Sequence, residues 1–413
     1  MTSDDDGMLG GLLGGLLEVN HLSVMEDLPA RIAEHARRAG FAQTVVYVTD
    51  LQQQHLVPLP GQCDAHGDPP KLIRIDGTVP GRAFRDVEIV RARRASGPVA
   101  EEGTRRWWVP LLDGTERVGV LGVDVPLGTR AAEPLAGRLA ALASLVALLV
   151  VSKRPHSDSH ARAVRVRPMS LSAEVLWNLL PPGTFANDRV VVSAALEPAY
   201  EVGGDAYDFA VDGDILHVSI FDAMGHDTSA GLTATIAVGA CRNSRRKGEG
   251  LPATSEAIDA AIADHFTGRF VTGILAALDL RTGRLTWVNR GHPPPLLIRD
   301  GRRVTALDSR PDPPMGIGLP IGTGLLSHRL EPGDRLLFYT DGVVEAPSPD
   351  GEAFGLERFI DFVVRREADG VSAPETLRRL IQNLLEYHRG LLQDDATVLT
   401  VEWCGQRHRI LTL

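Results

Sequence analysis

Three short apolar runs beyond residue 200 each meet a carboxylate at one end and a fourth carboxylate follows a glycine pair, and that pattern restricts the folds open to the chain. Leu336, Leu337, Phe338 and Tyr339 read as a buried strand, introduced by the turn Pro332-Gly333-Asp334 and closed by Thr340-Asp341-Gly342. Asp222 ends the run from Ile215 to Phe221, Asp205 follows Gly203-Gly204, and Asp394-Asp395 precedes the run from Ala396 to Val401. A lone Asp-Gly reads as a hairpin turn. Four acidic positions in the same setting read instead as oxygen ligands brought to one rim of a core. With almost no Cys or His beside them, they form the donor set of a hard divalent cation.

Composition narrows the class. A chain of 413 residues predicts two or three domains, and 44% hydrophobic with 23% charged residues describes a globular protein. The net charge of −10 argues against a nucleic-acid backbone binder, whose footprint is basic. Cys63, Cys241 and Cys404 are widely spaced, which indicates neither a disulfide framework nor a zinc site. The acidic start (Asp4, Asp5, Asp6) lacks the basic residues of a secretory signal, so a cytoplasmic protein is expected. Leu139 to Val151 is uncharged and apolar but too short to span a bilayer, so it predicts a buried or dimer-forming helix without stable membrane insertion.

In chain order, a tail over 1–21 precedes alternating helix and strand signals over 22–150. Val24 to Gly40 has helical periodicity and stops at a glycine, and Thr44 to Val48 is β-branched and aromatic. Thr78-Val79-Pro80-Gly81-Arg82-Ala83-Phe84 reads as a turn into a short helix. Trp107 to Leu112 and Arg117 to Val125 read as strands paired across Asp113-Gly114. The Val-Pro-Gly-Arg-Ala-Phe turn, the Val-Pro-Leu-Leu strand and the Val-Gly-Val-Leu-Gly-Val strand resemble a GAF domain, a small-ligand or redox sensing module; a generic α+β domain is the plainer reading. Glu133 to Ser152 predicts a long apolar helix leaving this domain, suited to parallel pairing as a dimer stalk. The segment 151–187 predicts a linker with a regulatory helix over 172–180, capped by Ser170 or Ser172 and ended by Pro181-Pro182.

From 188 to 405 the pattern is largely β. Strands are expected at 189–196, 215–221, 271–280, 285–289, 295–299, 335–340 and 396–403, and helices at 228–245, 253–266, 356–366 and 373–390. Short turns at Asp212-Gly213, Arg281-Thr282-Gly283 and Asp300-Gly301 imply antiparallel sheets covered by helices, an α+β layered sandwich. Glu201 to Phe209, Asp222-Ala223-Met224-Gly225-His226, Asn289-Arg290-Gly291-His292-Pro293-Pro294, Tyr339-Thr340-Asp341-Gly342 and Asp394-Asp395-Ala396-Thr397 then occur in one order. That ordered set, over 170–403, resembles the SpoIIE-type branch of the PPM metal-dependent serine/threonine protein phosphatases.

The resemblance implies an α-β-β-α sandwich with two Mn²⁺ or Mg²⁺ ions at one edge. It implies that Asp205 and Asp222, with the Ala223 carbonyl, hold one metal, and that Asp222, Asp341 and Asp394 hold the other. A phosphate monoester is a dianion that carboxylates alone would repel, and two cations invert that field and acidify a shared water. Ala223 departs from the family's usual Gly or Val, which is tolerable where only its backbone oxygen is used. His226 either protonates the leaving serine oxygen or caps the following helix. His292, Asn289, Asp208, Asp395 and Glu345 are read as structural, the acidic ones through hydrogen bonds to backbone turns. No arginine is assigned to the substrate phosphate. The expected substrate is a phosphoserine or phosphothreonine of a regulatory protein, an anti-sigma-factor antagonist, with the sensor domain controlling turnover in a homodimer. The alternative is a catalytically silent sensor and docking protein that binds a phosphoprotein. The complete set of aspartates favours the enzyme.

Overall fold

The computed structural model describes residues 10–404 apart from 12, 19–20, 65–66, 93–102, 128–132, 199, 202, 320–321, 350, 391 and 393. Most of the tail 1–21, Val202 of the glycine motif and residue 405 therefore lie outside the described residues. The chain divides into two compact units, the first reaching Arg167 and the second starting at Pro168.

The first unit is built on an antiparallel sheet of β1 (Thr44–Thr49), β2 (His55–Pro58), β3 (Ile73–Arg74), β4 (Val90–Arg91), β5 (Thr104–Asp113) and β6 (Glu116–Pro126), in the order β3-β2-β1-β6-β5-β4. Its helices are α1 (Leu28–Arg38), α2 (Val79–Asp86), α3 (Glu133–Lys153) and α4 (Asp158–Val164). The period of two in β1 sorts its side chains between two cores. Val46 and Val48 pack with α1 and α3, while Val45 and Tyr47 pack with Phe84 of α2 and Trp108. Thr78 caps α2 by accepting from the Gly81 N–H at 3.1 Å.

The helix α3 shows the burial expected of it and is not a free rod. Leu135, Leu139, Leu142, Val146, Leu149 and Val150 are buried in the core of the first unit, because an apolar helix spends its faces on the nearest sheet as readily as on a second copy. By length and composition 135–156 could cross a membrane, and 44% of its most apolar window is buried within the fold. The polar stretch after α3 is not an open linker either. It forms α4, whose Val164 is buried and accepts from the Leu51 N–H at 3.2 Å.

The second unit is a four-layer sandwich of helices, two sheets and helices. Its strands are β7 (Thr184–Ala186), β8 (Val190–Glu197), β9 (Asp205–Asp212), β10 (Ile215–Ala223), β11 (Val271–Asp279), β12 (Arg284–Arg290), β13 (Leu296–Arg299), β14 (Arg303–Ala306), β15 (Leu326–Arg329), β16 (Arg335–Tyr339) and β17 (Ala396–Trp403). One sheet runs β15-β12-β11-β10-β9 and the other β14-β13-β16-β17-β8-β7. Helices α5 (Leu171–Leu179), α6 (Thr228–Arg246) and α7 (Leu251–His265) cover the first sheet, and α8 (Leu356–Ala368) and α9 (Ala373–Tyr387) cover the second. The unbroken apolar run of β16 follows from burial on both faces. Leu336 and Phe338 point into the core between the sheets, while Leu337 and Tyr339 pack on the outer helices with Phe359 and Leu380. Ser170 is the cap of α5, accepting from the Ala173 N–H at 3.1 Å.

Candidate active site

The site begins with the register of one hairpin. β9 and β10 pair so that Asp205 lies directly opposite Asp222, at the end away from the turn at Gly213. Directly opposed carboxylates on adjacent strands repel, and such a pair persists where something compensates the charge. Asp205 is 2% exposed. Its Oδ2 accepts from the Thr340 hydroxyl at 2.7 Å and the Thr397 hydroxyl at 2.6 Å, both carried by the opposite sheet. The Thr397 N–H in turn donates to Thr340 Oγ1 at 2.9 Å. These hydroxyls fasten the two sheets together at the rim where the aspartates gather.

Asp395 supplies the second fastening. Its Oδ2 accepts from the backbone N–H groups of Gly203, Gly204 and Asp205 at 2.7, 2.6 and 3.1 Å. The expectation that Asp395 binds a backbone turn is what the structure shows. The glycines are required by close approach: a Cβ on Gly204 would lie 2.3 Å from the Ala223 oxygen, and one on Gly203 2.4 Å from His226 Cα. Asp341-Gly342 is no hairpin. Asp341–Val343 is a 3-10 turn, and a Cβ on Gly342 would lie 1.9 Å from the Asp395 oxygen.

The electrostatics report how near the carboxylates are. Burial pushes Asp222 up to about 7, with Asp341, Asp394 and Asp395 adding to the rise. Burial, then Asp222 and Asp395, hold Asp205 well above the usual carboxylate range against the two threonine hydroxyls. Asp394 is raised by burial and by Asp341, and is drawn back by the Asp395 N–H and by His226. Asp395 rises to about 6, chiefly by burial, despite its three N–H donors. Asp205, Asp222, Asp341 and Asp394, from both sheets, therefore share one field. Among the described residues no three His, Cys, Asp or Glu are grouped tightly enough to enclose an ion, so a cation would draw the carboxylates inward from these positions. The all-oxygen donors and their mutual repulsion fit a divalent cation, whose charge would relieve it.

The other residues sort clearly. His226 is exposed on the loop after β10, near enough to Asp394 to lower its pKa, and it is not the helix cap. Asp227 caps α6, accepting from the Ala230 N–H at 2.8 Å, and pairs with Arg269 at 2.7 Å. His292 lies between the sheets, its ring nitrogens 3.0 Å from Thr272 Oγ1 and 3.0 Å from the Tyr339 carbonyl. The carbonyl requires Nε2 to donate, so Nδ1 accepts from Thr272. Asn289 locks the same turn by accepting from the His292 N–H and donating to its carbonyl, both at 2.9 Å. Glu345 is exposed, its N–H donating to the Asp341 carbonyl at 2.7 Å. Asp208 departs from expectation: it binds no backbone turn but pairs with Arg242 and Arg245 of α6 at 2.6 and 2.8 Å. Arg242 also donates to the Leu179 carbonyl at the end of α5, at 2.7 Å. Thr340 and Thr397 lie within the sequence motifs without a visible role there, because a threonine beside an aspartate reads equally as ordinary strand composition.

Residues 212–404 match the family model of stage II sporulation protein E (SpoIIE). That stretch contains Asp222, Asp341 and Asp394, while Asp205 precedes it. The chain is 27% identical over 263 residues to the protein IcfG of Synechocystis, which spans 55% of this chain and 40% of that one. It is 27% identical over 187 residues to the phosphoserine phosphatase RsbP of Bacillus subtilis, 43% of this chain and 45% of that one. The chain thus spans less than half the length of these curated relatives. A solved SiaA-PP2C domain of Pseudomonas aeruginosa aligns with 51% of this chain and 85% of its own at 22% identity and a TM-score of 0.45. Over residues 212–404, which carry four of the five ordered motifs, the second unit of this chain is thus similar to the SpoIIE family of phosphatase domains.

Proposed function

We propose that this chain is a metal-dependent protein serine/threonine phosphatase that dephosphorylates a regulatory protein of the anti-sigma-factor antagonist class. The observation that carries the reading is the opposed pair of buried Asp205 and half-buried Asp222, within the field of Asp341 and Asp394 from the other sheet. The name of the relative RsbP, a phosphoserine phosphatase, supports the substrate class.

Asp205, Asp222 and the Ala223 carbonyl would hold one divalent cation, and Asp222, Asp341 and Asp394 the other, Mn²⁺ or Mg²⁺. When bound, the pair supplies the positive charge that admits a phosphate dianion and acidifies a water for attack on phosphorus. The chain's own residues do the rest. Thr340 and Thr397 orient Asp205, Asp395 fixes the Gly203-Gly204 turn, and His226, exposed beside Asp394, is placed to give a proton to the leaving serine oxygen. The first unit, with its six-stranded antiparallel sheet flanked by helices, is assigned as a GAF-like sensor that governs turnover. The protein is assigned as a cytoplasmic homodimer.

A silent, phosphoprotein-binding relative is favoured by one observation, the spread of the carboxylates. Hydrolysis of p-nitrophenyl phosphate by the full chain with Mn²⁺, with Mg²⁺ and with chelator separates the readings. Metal-dependent turnover that disappears in Asp341→Ala is expected. Wild-type protein that binds Mn²⁺ yet turns nothing over would overturn the enzyme.

A further inference from the structure

The strand order places β10 between β9 and β11, so the loop that leaves β10 after Asp222 is flanked by the starts of both neighbours. This loop, 223–227, carries the Ala223 carbonyl and His226. It turns at Gly225, whose φ of 90° suits a glycine. A glycine turn does little to fix its own geometry, so the direction of the Ala223 carbonyl depends on what holds the loop from each side.

On the β9 side the hold is close packing. The Ala223 N–H donates to the Gly204 carbonyl at 3.0 Å, and a Cβ on Gly204 would lie 2.3 Å from the Ala223 oxygen and 3.0 Å from the Gly225 oxygen. On the β11 side the hold is a side chain. Arg269, just ahead of β11, donates from Nη1 to the Met224 carbonyl at 2.9 Å and from Nη2 to Asp227 Oδ2 at 2.7 Å. Those acceptors flank Gly225, on which a Cβ would lie 3.6 Å from Nη1. The guanidinium therefore pins both ends of the turn. Its hydrogen bond is also the main reason the Asp227 carboxyl sits below the usual carboxylate range. Phe270 completes the grip by accepting from the Met224 N–H at 3.1 Å, so both backbone polar groups of Met224 are held from β11. The peptide joining Ala223 to Met224 is planar and trans, so fixing its N–H toward Phe270 also fixes the Ala223 carbonyl toward Gly204, the neighbour of Asp205.

We propose that Arg269 is a positioning residue for the metal centre: by spanning the Gly225 turn it holds the Ala223 carbonyl toward Gly204 and so sets the affinity for one of the two divalent cations. The inference rests on the phosphatase reading, in which that carbonyl is a metal ligand. It is specific to arginine, whose planar fork reaches two acceptors at once where a lysine serves one as a point charge. Partners that orient a metal's ligands commonly govern its affinity in this way. The sign of the effect separates positioning from plain electrostatics. A guanidinium beside a cation site repels the ion, so loss of its charge alone would tighten metal binding. Loss of its grip on the turn weakens binding.

The test uses the full chain as wild type, Arg269→Ala and the milder Arg269→Lys. Titration with Mn²⁺, followed by the paramagnetic resonance of the free ion, gives Kd values without any turnover. Hydrogen exchange of the metal-free protein reads the loop itself. The expected result for Arg269→Ala is a Kd raised at least about tenfold for one of the two ions, with a smaller rise for Arg269→Lys. The Gly225 and His226 amides should exchange faster in Arg269→Ala while those of β10 and β11 keep their wild-type rates. A Kd that is unchanged or lowered in Arg269→Ala, beside a wild type that binds Mn²⁺, overturns the proposal and leaves the metal site standing. A raised Kd with faster exchange throughout β10 and β11 also overturns it, because the loss is then one of folding. Wild-type protein that binds no Mn²⁺ overturns the metal reading and the proposal together.

Discussion

His292 joins the two sheets through both ring nitrogens, and it can do so only as a neutral imidazole. Protonation would turn Nδ1 from the acceptor of the Thr272 hydroxyl into a second donor, in a place 3% exposed. Burial accordingly lowers its pKa from 6.5 to about 4. The sign follows directly. Between those values the unfolded chain binds a proton that the folded chain does not, so the stabilisation is full above 6.5 and is lost as pH falls toward 4. The displacement is worth about 3 kcal/mol. The raised carboxylates nearby act in the opposite sense, so wild type alone does not isolate the effect. His292→Gln keeps an amide that can donate to the Tyr339 carbonyl but cannot titrate. Hydrogen exchange of the β10 and β11 amides, with chelator present, gives the opening free energy of this unit at each pH. Wild type should exceed the variant by about 1–3 kcal/mol at pH 7.5. That gap should shrink by about 3 kcal/mol on reaching pH 4. A gap that stays constant across the range would refute the reasoning.

Other perturbations have equally definite outcomes. Asp395→Ala strands three backbone N–H donors while relieving some carboxylate repulsion, and should cost about 2–4 kcal/mol in the same exchange measurement. Gly342→Ala places a methyl against the Asp395 backbone oxygen and should cost at least about 2 kcal/mol, visible as a lower urea midpoint with unchanged slope. Arg242→Ala with Arg245→Ala leaves Asp208 charged and unpaired in the interior, for a loss of about 3–5 kcal/mol that Asp208→Asn in the same background should largely reverse. Mn²⁺ at a hundredfold its Kd should stabilise the second unit by about 2.7 kcal/mol, and Asp222→Asn should remove that increment.

The helices of the second unit were legible almost to their ends because their caps and periodicity are local. α6 was expected at 228–245 and runs Thr228–Arg246, beginning at its capping aspartate. β9 was not legible as a strand. Asp205, Asp208 and Asp212 are residues that strands disfavour, and each is there for a reason outside the strand: the site, the α6 arginines and the turn. The short strands β7, β14 and β15 carry too little apolar pattern to stand out from loops. The aspartates of the site were legible as a set because strand-end carboxylates repeat. Their supports were not, since Thr340 reaches Asp205 across 135 positions and nothing local marks such a partner. The fate of α3 was open for the same reason: an apolar helix does not record which surface it will meet.

The order of the second sheet sets a condition on how this protein is made. β17, which follows Asp394 and Asp395 in the chain, lies between β16 and β8 in the middle of that sheet, not at its edge. It leaves the ribosome after every other strand of either sheet. Until it inserts, β8 and β16 have no common neighbour, and Asp205 lacks both the Thr397 hydroxyl and the backbone turn that Asp395 fixes. The nascent chain therefore lacks the fastenings that hold the aspartates at one rim. A message cut short before codon 394 would yield a protein with an open sheet, exposed to aggregation and degradation.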